Sequence, residues 1–262
     1  MTSPSIPAAI AAALERAHPS WHPALRAGLE AIEAATPGYL AALADDHYLP
    51  TEQRLFAAFA QPLANVKFVL VGEGPYPRAE SATGVCFMDG AVGDLWCSNG
   101  LAKPVNKATS LRNFMKMLLV ADGLLHPDKT GGEALAPIAS RAAEAGLVRT
   151  LAELQDNLIR EGFLLLNASL VFRPTVAPVV DARAWQPLLQ AVLAALAQVD
   201  PPPTLILWGR IAEQLQRLPE TAGFPQVLSE HPFNLSFIRH AGMQGLFGPM
   251  RLLRSSRSHQ SA

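Results

Sequence analysis

Three polar side chains stand at or just beyond the ends of short apolar runs in this chain. Glu73 follows the run VKFVLVG, Asn167 closes the run GFLLLN, and His231 comes shortly after the run QVLS. Short apolar runs that end at glycine or polar residues are typical of buried strands that break into loops. A carboxylate, an amide and an imidazole at such ends are candidates for catalytic or binding chemistry.

Parallel strands bring their carboxyl ends to the same edge of a sheet, where open α/β sheets bind ligands. We therefore expect Glu73, Asn167 and His231 to converge in one crevice. Each residue alone also has a structural interpretation, because Glu73 could cap a turn, Asn167 could end a strand and His231 could be a hydrogen-bonded loop residue. Their shared placement favours a functional site.

The hydrophobic pattern predicts the elements that position these residues. The predicted strands are Val66–Val71, Gly162–Asn167, Thr204–Trp208 and Gln226–Ser229. The predicted helices are AAIAAALERA from Ala8, Pro23–Ala35, Gly38–Asp45, Thr51–Phe59, Leu111–Ala121 capped by Ser110, Leu151–Arg160, Ala184–Val199 and Arg210–Leu218. Residues 78–107 are predicted to be an irregular functional loop, and residues 122–135 a turn-rich connection.

Continuous apolar strands that alternate with helices indicate a parallel sheet covered on both faces. We predict an α/β fold of three layers, α/β/α, with a central, mostly parallel four-stranded sheet and additional N-terminal helices. A single domain is expected over residues 1–262, with a helical portion at about 1–60 and a disordered tail at about 255–262.

Composition excludes several classes of protein. Half of the 262 residues are hydrophobic and 16% are charged, which indicates a globular chain. The chain has only two cysteines, and its histidines lack the spacing of metal ligands. The sequence therefore gives no support for a metal or cofactor. No apolar run reaches the length of a membrane span and the N-terminus lacks a basic signal start, so a cytoplasmic protein is expected. The net charge is −1, but from His231 onward there are four arginines and no acid, which would attract phosphate.

Five segments, in order, resemble the uracil-DNA glycosylase superfamily, closest to its family 1. VGEGPYP with the following stretch to Phe87 is similar to the segment that carries GQDPYH. TSLRNFMKML, GFLLLNASLVFRP, LILWGRIAEQL and HPFNLS are similar to the Ser-Leu helix start, the LLLN strand, the LLWG segment and HPSPLS of that family. The resemblance implies a monomeric enzyme that extrudes a deaminated base from DNA and cleaves its N-glycosidic bond.

The resemblance also implies roles for individual residues. Phe87 would be the shelf on which the base stacks, and Tyr76 would exclude the thymine methyl. Asn167 would read the uracil edge, and His231 would stabilise the departing base oxygen. Together with Tyr76, Phe87 and Asn167, the base site would include Gly72 and Gly74.

The same resemblance places the DNA contacts in two segments. Leu235 would be the wedge that enters the duplex, and Ser110 would bind phosphate at a helix N-terminus. The DNA-binding residues would be Ser110, Phe233, Leu235, Ser236 and Arg239. For Phe87 and Leu235 the alternative is an ordinary core position.

The motif departs from the family at the residue that positions the attacking water. Gly74 stands at the place of the family aspartate, and Pro77 stands at the place of the motif histidine. Phe233 occupies the place of a small serine. In the iron–sulfur branch the motif is GEAPG, whose glutamate falls at the place of Glu73, so Glu73 could supply the missing carboxylate.

Three hypotheses follow. The chain is a DNA glycosylase that uses Glu73, Asn167 and His231, or a glycosylase-fold protein that binds DNA or a damaged base without cutting. The third is an unrelated α/β enzyme that acts on a small molecule.

Overall fold

The structure, a computed structural model, describes residues 6–255 of the 262-residue chain. Residues 256–262, which include most of the tail predicted to be disordered, lie outside the described residues. The α-helices are α1 Ala8–Leu14, α2 His22–Ala35, α3 Tyr39–Ala44, α4 Lys103–Lys107, α5 Thr109–Ala121, α6 Gly132–Ser140, α7 Leu151–Arg160, α8 Pro178–Leu196, α9 Arg210–Leu215 and α10 Ala241–Phe247. The strands are β1 Phe68–Gly72, β2 Trp96–Cys97, β3 Gly100–Leu101, β4 Phe163–Asn167, β5 Thr204–Trp208 and β6 Gln226–Ser229.

The central sheet has four strands in the order β4-β1-β5-β6. β1 pairs in parallel with both β4 and β5, and its register against β4 runs from Phe68 opposite Phe163 to Gly72 opposite Asn167. β1, β4 and β5 have buried centres, as their continuous apolar sequences require. The predicted α/β fold, with a central parallel four-stranded sheet flanked by helices, is confirmed.

The described residues form two compact units. Unit 1 consists of residues 6–90, 162–207 and 211–226, and unit 2 of residues 91–161, 208–210 and 227–255. The expectation of a single domain stays a prediction. Within residues 6–255, no helix combines the length and the apolar composition of a bilayer span.

Unit 1 is held together by the packing of α2 on α8 and by a buried ion network. Gly28 of α2 lies so close to Leu188 of α8 that an added Cβ would be 2.9 Å from the Leu188 Cα. Arg173, in the loop after β4, donates to both carboxylate oxygens of Asp181, at 2.7 and 3.2 Å. The Tyr39 hydroxyl donates to the same carboxylate at 2.7 Å. This network ties the loop that follows Asn167 to α3 and α8.

Unit 2 has its own aromatic core. Trp208 packs edge-on against Phe237, with ring centroids 5.3 Å apart, and Phe114 of α5 packs against Phe247 of α10 at 5.1 Å. The Trp208 indole N–H donates to the sulfur of Met243 at 3.3 Å. These contacts fix α5 and α10 around Trp208.

Several predicted boundaries are wrong. The α-helix expected at Thr51–Phe59 is a 3-10 helix over Arg54–Phe59, because Glu52 and Gln53 adopt φ values of 60° and 58°. The irregular loop at 78–107 contains the β2–β3 hairpin and α4, and α6 begins inside the stretch predicted to be turns. α8 begins six residues before the predicted start, at a proline suited to the first turn of a helix.

The Gly28 contact generates a stability prediction. Replacing Gly28 with Ala is expected to lower the free energy of unfolding by about 1–3 kcal/mol, because the new methyl group meets helix backbone. The control is Gly245→Ala in α10, where an added Cβ has nothing within 4 Å. There the change is expected to raise stability by about 0.5–1 kcal/mol through helix propensity. Urea titrations of both variants measure the difference, and equal effects would contradict the proposed packing constraint.

Candidate active site

The loop after β1 is paired to the loop after β4 by backbone hydrogen bonds. The Ala168 N–H donates to the Gly72 carbonyl at 2.8 Å, and the Ser169 N–H donates to the Glu73 carbonyl at 3.1 Å. The Glu73 side chain is exposed, and its carboxylate has no hydrogen bond or ion pair within residues 6–255. The backbone of Glu73 is therefore fixed while its carboxylate stays available to a ligand.

Gly72 leaves space for a buried cysteine at the end of β1. A Cβ at Gly72 would lie 2.5 Å from the Cys86 sulfur and 3.2 Å from the Asn167 side-chain oxygen. The Cys86 N–H donates to the Leu165 carbonyl at 3.0 Å, which holds this residue against β4. Burial raises the pKa of the Cys86 thiol to about 12, opposed in part by a hydrogen bond with the Gly72 backbone. Cys86 is thus a neutral packing residue of the site, a role that sequence reasoning missed.

Asn167 is buried, with 5% of its surface exposed, and lies directly opposite Gly72 in the β1–β4 register. No hydrogen bond joins its side-chain amide to another residue in the described range 6–255. Buried side-chain amides in folded proteins nearly always have partners. An amide offers both a donor and an acceptor, so Asn167 can pair with a ligand edge that presents one of each.

Tyr76 and Phe87 supply aromatic surface to the same unit. Tyr76 is half-buried, and its pKa is raised by burial first, then by the nearby Cys86 and Asp89, with Arg78 acting in the opposite direction. Phe87 is half-buried and has a φ of 68°, a left-handed conformation that side chains other than glycine seldom adopt. Such strain is common at functional sites, where the surrounding structure maintains it.

Gly74, at the place where the resemblance expects aspartate, has room for a side chain. An added Cβ would lie 3.6 Å from the Ser169 carbonyl oxygen and 3.7 Å from the Ser169 Cβ, which are ordinary van der Waals distances. The absence of a carboxylate at this position is therefore not imposed by packing.

In unit 2 the geometry fixes the tautomer of His231. The Phe233 N–H donates to the His231 Nδ1 at 3.1 Å, so the neutral imidazole carries its proton on Nε2 and can donate from there. Gly209, with a φ of 62°, lies against His231, and a Cβ there would be 2.9 Å from the His231 Cβ. A glycine after β5 is thus needed for the position of His231.

The segment HPFNLS is anchored by Asn113 of α5, which sequence reasoning missed. This side chain is fully buried, and its amide donates to the carbonyl oxygens of Pro232, Phe233 and Asn234 at 2.8, 3.2 and 3.4 Å. The only sequence signal was a polar residue on the apolar face of the predicted helix.

Two apolar side chains project from this anchored segment. Phe233 is 65% exposed and Leu235 is 68% exposed, so the alternative of a core position for Leu235 is wrong. Ser236 is also exposed, in the 3-10 helix Leu235–Arg239. Contiguous exposed apolar patches are typical of surfaces that contact a partner, and Phe233 and Leu235 are two positions apart in one segment.

Ser110 and Arg239 are the other two predicted DNA-binding residues. Ser110 does not cap its helix, because α5 begins at Thr109 and the N-cap position is Ala108. Ser110 instead lies in the first turn of α5. Arg239 forms a 3.0 Å ion pair with Asp128, and its Nε donates to the Pro127 carbonyl. Both side chains of the pair are exposed, so water screens their interaction.

The structure thus gathers Gly72, Glu73, Tyr76, Phe87 and Asn167 in unit 1, and His231, Phe233 and Leu235 in unit 2. In unit 1, a carboxylate, an unpartnered amide and aromatic surface can hold a flat polar ligand. In unit 2, an imidazole N–H donor stands beside exposed apolar side chains.

The space at Gly72 can be tested by a double-mutant cycle. Gly72→Ala is expected to cost about 1–3 kcal/mol of unfolding free energy, because its methyl group overlaps the Cys86 sulfur. In a Cys86→Ala background the same change should cost less than about 1 kcal/mol. Gly74→Ala serves as the control and should change stability by no more than about 0.5 kcal/mol. Additive effects of Gly72→Ala and Cys86→Ala would disprove the contact.

Comparisons with known proteins give consistent results. The chain is 30% identical over 210 residues to the uracil-DNA glycosylase of Nocardioides sp., spanning 80% of this chain and 74% of that protein. The structure of wild-type UNG from Nitratifractor salsuginis is 40% identical, with a TM-score of 0.83, over 92% of this chain and 94% of that one. A variant of mimivirus UNG in complex with UGI, 18% identical with a TM-score of 0.51, shares the fold over 84% of this chain and 71% of its own. No protein-family profile matches the sequence.

Proposed function

This chain belongs to the uracil-DNA glycosylase superfamily, and from this premise we propose that it removes uracil, or a related deaminated base, from DNA in base-excision repair. The reaction is hydrolysis of the N-glycosidic bond between the base and deoxyribose. Within the superfamily we place the chain nearest to family 1, on the strength of its five collinear motifs. The hypothesis of an unrelated small-molecule enzyme is not retained.

The proposal rests on the environment of the Asn167 side chain. A buried amide without a partner in the described chain, at the carboxyl end of a parallel strand, matches the uracil edge, which offers an N–H donor beside a carbonyl acceptor. Cytosine presents the opposite pattern at the corresponding position, so it would leave a buried polar group unpaired. Phe87 would stack on the base, and Tyr76 would fill the space beside its C5 atom.

The chemical step needs charge stabilisation on both sides of the breaking bond. As the base departs, the sugar acquires oxocarbenium character and the base becomes anionic. The Glu73 carboxylate would stabilise the cation and orient the attacking water. The His231 Nε2–H, whose position follows from the Phe233 hydrogen bond, would donate to the base oxygen on which negative charge develops.

A second candidate is a protein that binds DNA or a damaged base without cleaving it. One observation favours it: Gly74 replaces the aspartate, and the carboxylate of its neighbour Glu73 is exposed rather than enclosed. In either case we propose that DNA is the partner, bound through Leu235, Phe233, Ser236, Ser110 and Arg239. We also propose a cytoplasmic monomer that needs no metal or cofactor.

Uracil release is tested with labelled single-stranded and duplex oligonucleotides that contain one deoxyuridine, treated with alkali to cut abasic sites. The wild-type protein is expected to produce cleavage. Asn167→Ala should lower kcat/KM by about 100-fold or more, since it removes a donor used in the transition state. Gln198→Ala, which truncates an exposed amide, is the matched control. Similar losses in both variants would contradict the role of Asn167.

The same assay separates the two candidates. If oligonucleotides with uracil, hypoxanthine or xanthine all remain intact while salt-dependent binding persists, the protein is a binding module and the enzymatic proposal is wrong.

The role of the missing aspartate can be tested by complementation. Glu73→Gln is expected to lower kcat by about 100-fold, because the neutral amide cannot stabilise the cation or activate water. The double variant Glu73→Gln/Gly74→Asp should have a kcat at least about tenfold higher than that of Glu73→Gln, since position 74 accommodates a side chain. The control Glu73→Gln/Gly74→Asn supplies the same volume without the charge. Equal rates for the Asp and Asn variants would show that position 74 does not serve the reaction.

A further inference from the structure

The segment from Leu95 to Ala121 in unit 2 contains only positive charges. Lys103 and Lys107 lie one turn apart in α4, and Arg112 and Lys116 lie one turn apart in α5. There is no Asp or Glu in this stretch. Across the described chain, residues 6–255, none of the four cations forms an ion pair. We call these four residues the α4–α5 basic cluster.

The arrangement is unfavourable for the helices themselves. Like charges at positions i and i+4 repel one another, and a cation near a helix N-terminus opposes the helix dipole. Arg112 and Lys116 are also only half-exposed. The pKa of Lys116 is lowered, first by burial and then by the charge of Arg112. Lys107 alone is favourably placed, in the last turn of α4. Helix stability therefore does not explain Lys103, Arg112 and Lys116, whereas a bound anion would relieve the repulsion within each pair.

Arg112 is held in a defined orientation. Its Nη1 donates to the Asn106 carbonyl at 3.1 Å, and its Nε lies 3.4 Å from the Asn113 side-chain oxygen. The other guanidinium N–H groups have no partner in the described part of the chain. A guanidinium fixed in this way is well suited to phosphate, which accepts paired N–H donors.

Asn113 connects the α4–α5 basic cluster to the segment HPFNLS, residues 231–236, which carries the proposed wedge Leu235. It lies between Arg112 and Lys116 on α5, and its amide binds the backbone of the segment that carries Phe233 and Leu235. α5 therefore bears two of the four cations, Arg112 and Lys116, together with the anchor of the exposed apolar side chains, and α4 lies in the same compact unit.

We propose that the α4–α5 basic cluster binds backbone phosphates of the DNA, with Arg112 and Lys116 as its central pair. The choice of ligand rests on the proposed function, because a DNA substrate brings a chain of phosphodiesters to this unit. Contacts of this kind do not depend on sequence and position the protein on DNA.

The test uses fluorescence anisotropy with a labelled duplex that contains no uracil, over a range of NaCl concentrations. Lys116→Gln and Lys107→Gln should each weaken binding at low salt and reduce the slope of log K against log [NaCl] by about one. Arg112→Gln should do the same, and Lys116→Glu should weaken binding further. Arg183→Gln, an exposed cation of α8, is the control and should leave the slope unchanged.

The outcomes separate this inference from the proposed function. Equal slopes for the cluster variants and the wild type, with unchanged circular dichroism, would overturn the phosphate site even if uracil is released. Reduced slopes in a protein that releases no base would support the phosphate site and leave the enzymatic proposal refuted. Inorganic phosphate is added as a competitor at constant ionic strength. Displacement of DNA at a phosphate concentration equal to that of the DNA phosphates would show that the ligand is free phosphate instead.

Discussion

The parallel pairing of β1 with β4 is the constraint on which the candidate site of unit 1 depends. Its register sets Gly72 opposite Asn167, and the hydrogen bonds continue beyond the strands into the loops that hold Glu73 and Ser169. Because side chains alternate between the faces of a strand, a slip of one residue would turn Asn167 to the other face. Burial of the leucines in β4 makes such a slip costly, so hydrophobic packing fixes the position of a polar functional group.

The segment around His231 depends on a different kind of constraint. Hydrogen bonds from backbone and side-chain donors hold it in place, since the Phe233 N–H orients the imidazole and Asn113 binds the following carbonyls. Gly209 contributes only by lacking a side chain. The catalytic candidate of unit 2 is therefore positioned by polar contacts and by empty space, with the aromatic core around Trp208 as the rigid support.

The sequence predicts the strands well because their apolar runs are short, continuous and bounded by glycine or polar residues. Thr204–Trp208 and Gln226–Ser229 match β5 and β6, and β4 begins one residue after its predicted start. β1 runs from Phe68 to Gly72 instead of the predicted Val66–Val71, so it differs at both ends. The positive φ values at Glu52 and Gln53 have no comparable signal, so the segment before Phe59 was misassigned. Among the site residues, strand-end positions were identified, whereas Cys86 and Asn113 were not. Their roles arise from contacts with residues distant in sequence, 119 positions apart for Asn113 and Pro232. Periodicity cannot reveal such contacts.

The single amide of Asn113 has a consequence for local unfolding. Three successive carbonyl groups share this side-chain donor, and among residues 6–255 only the Asn234 carbonyl has a further donor, the Phe237 N–H at 3.3 Å. Protein regions open in cooperative groups whose members lose their hydrogen bonds together. We therefore expect segment 232–234 to open together with the middle of α5, which would make the peptide groups of the segment accessible to solvent exchange and proteases.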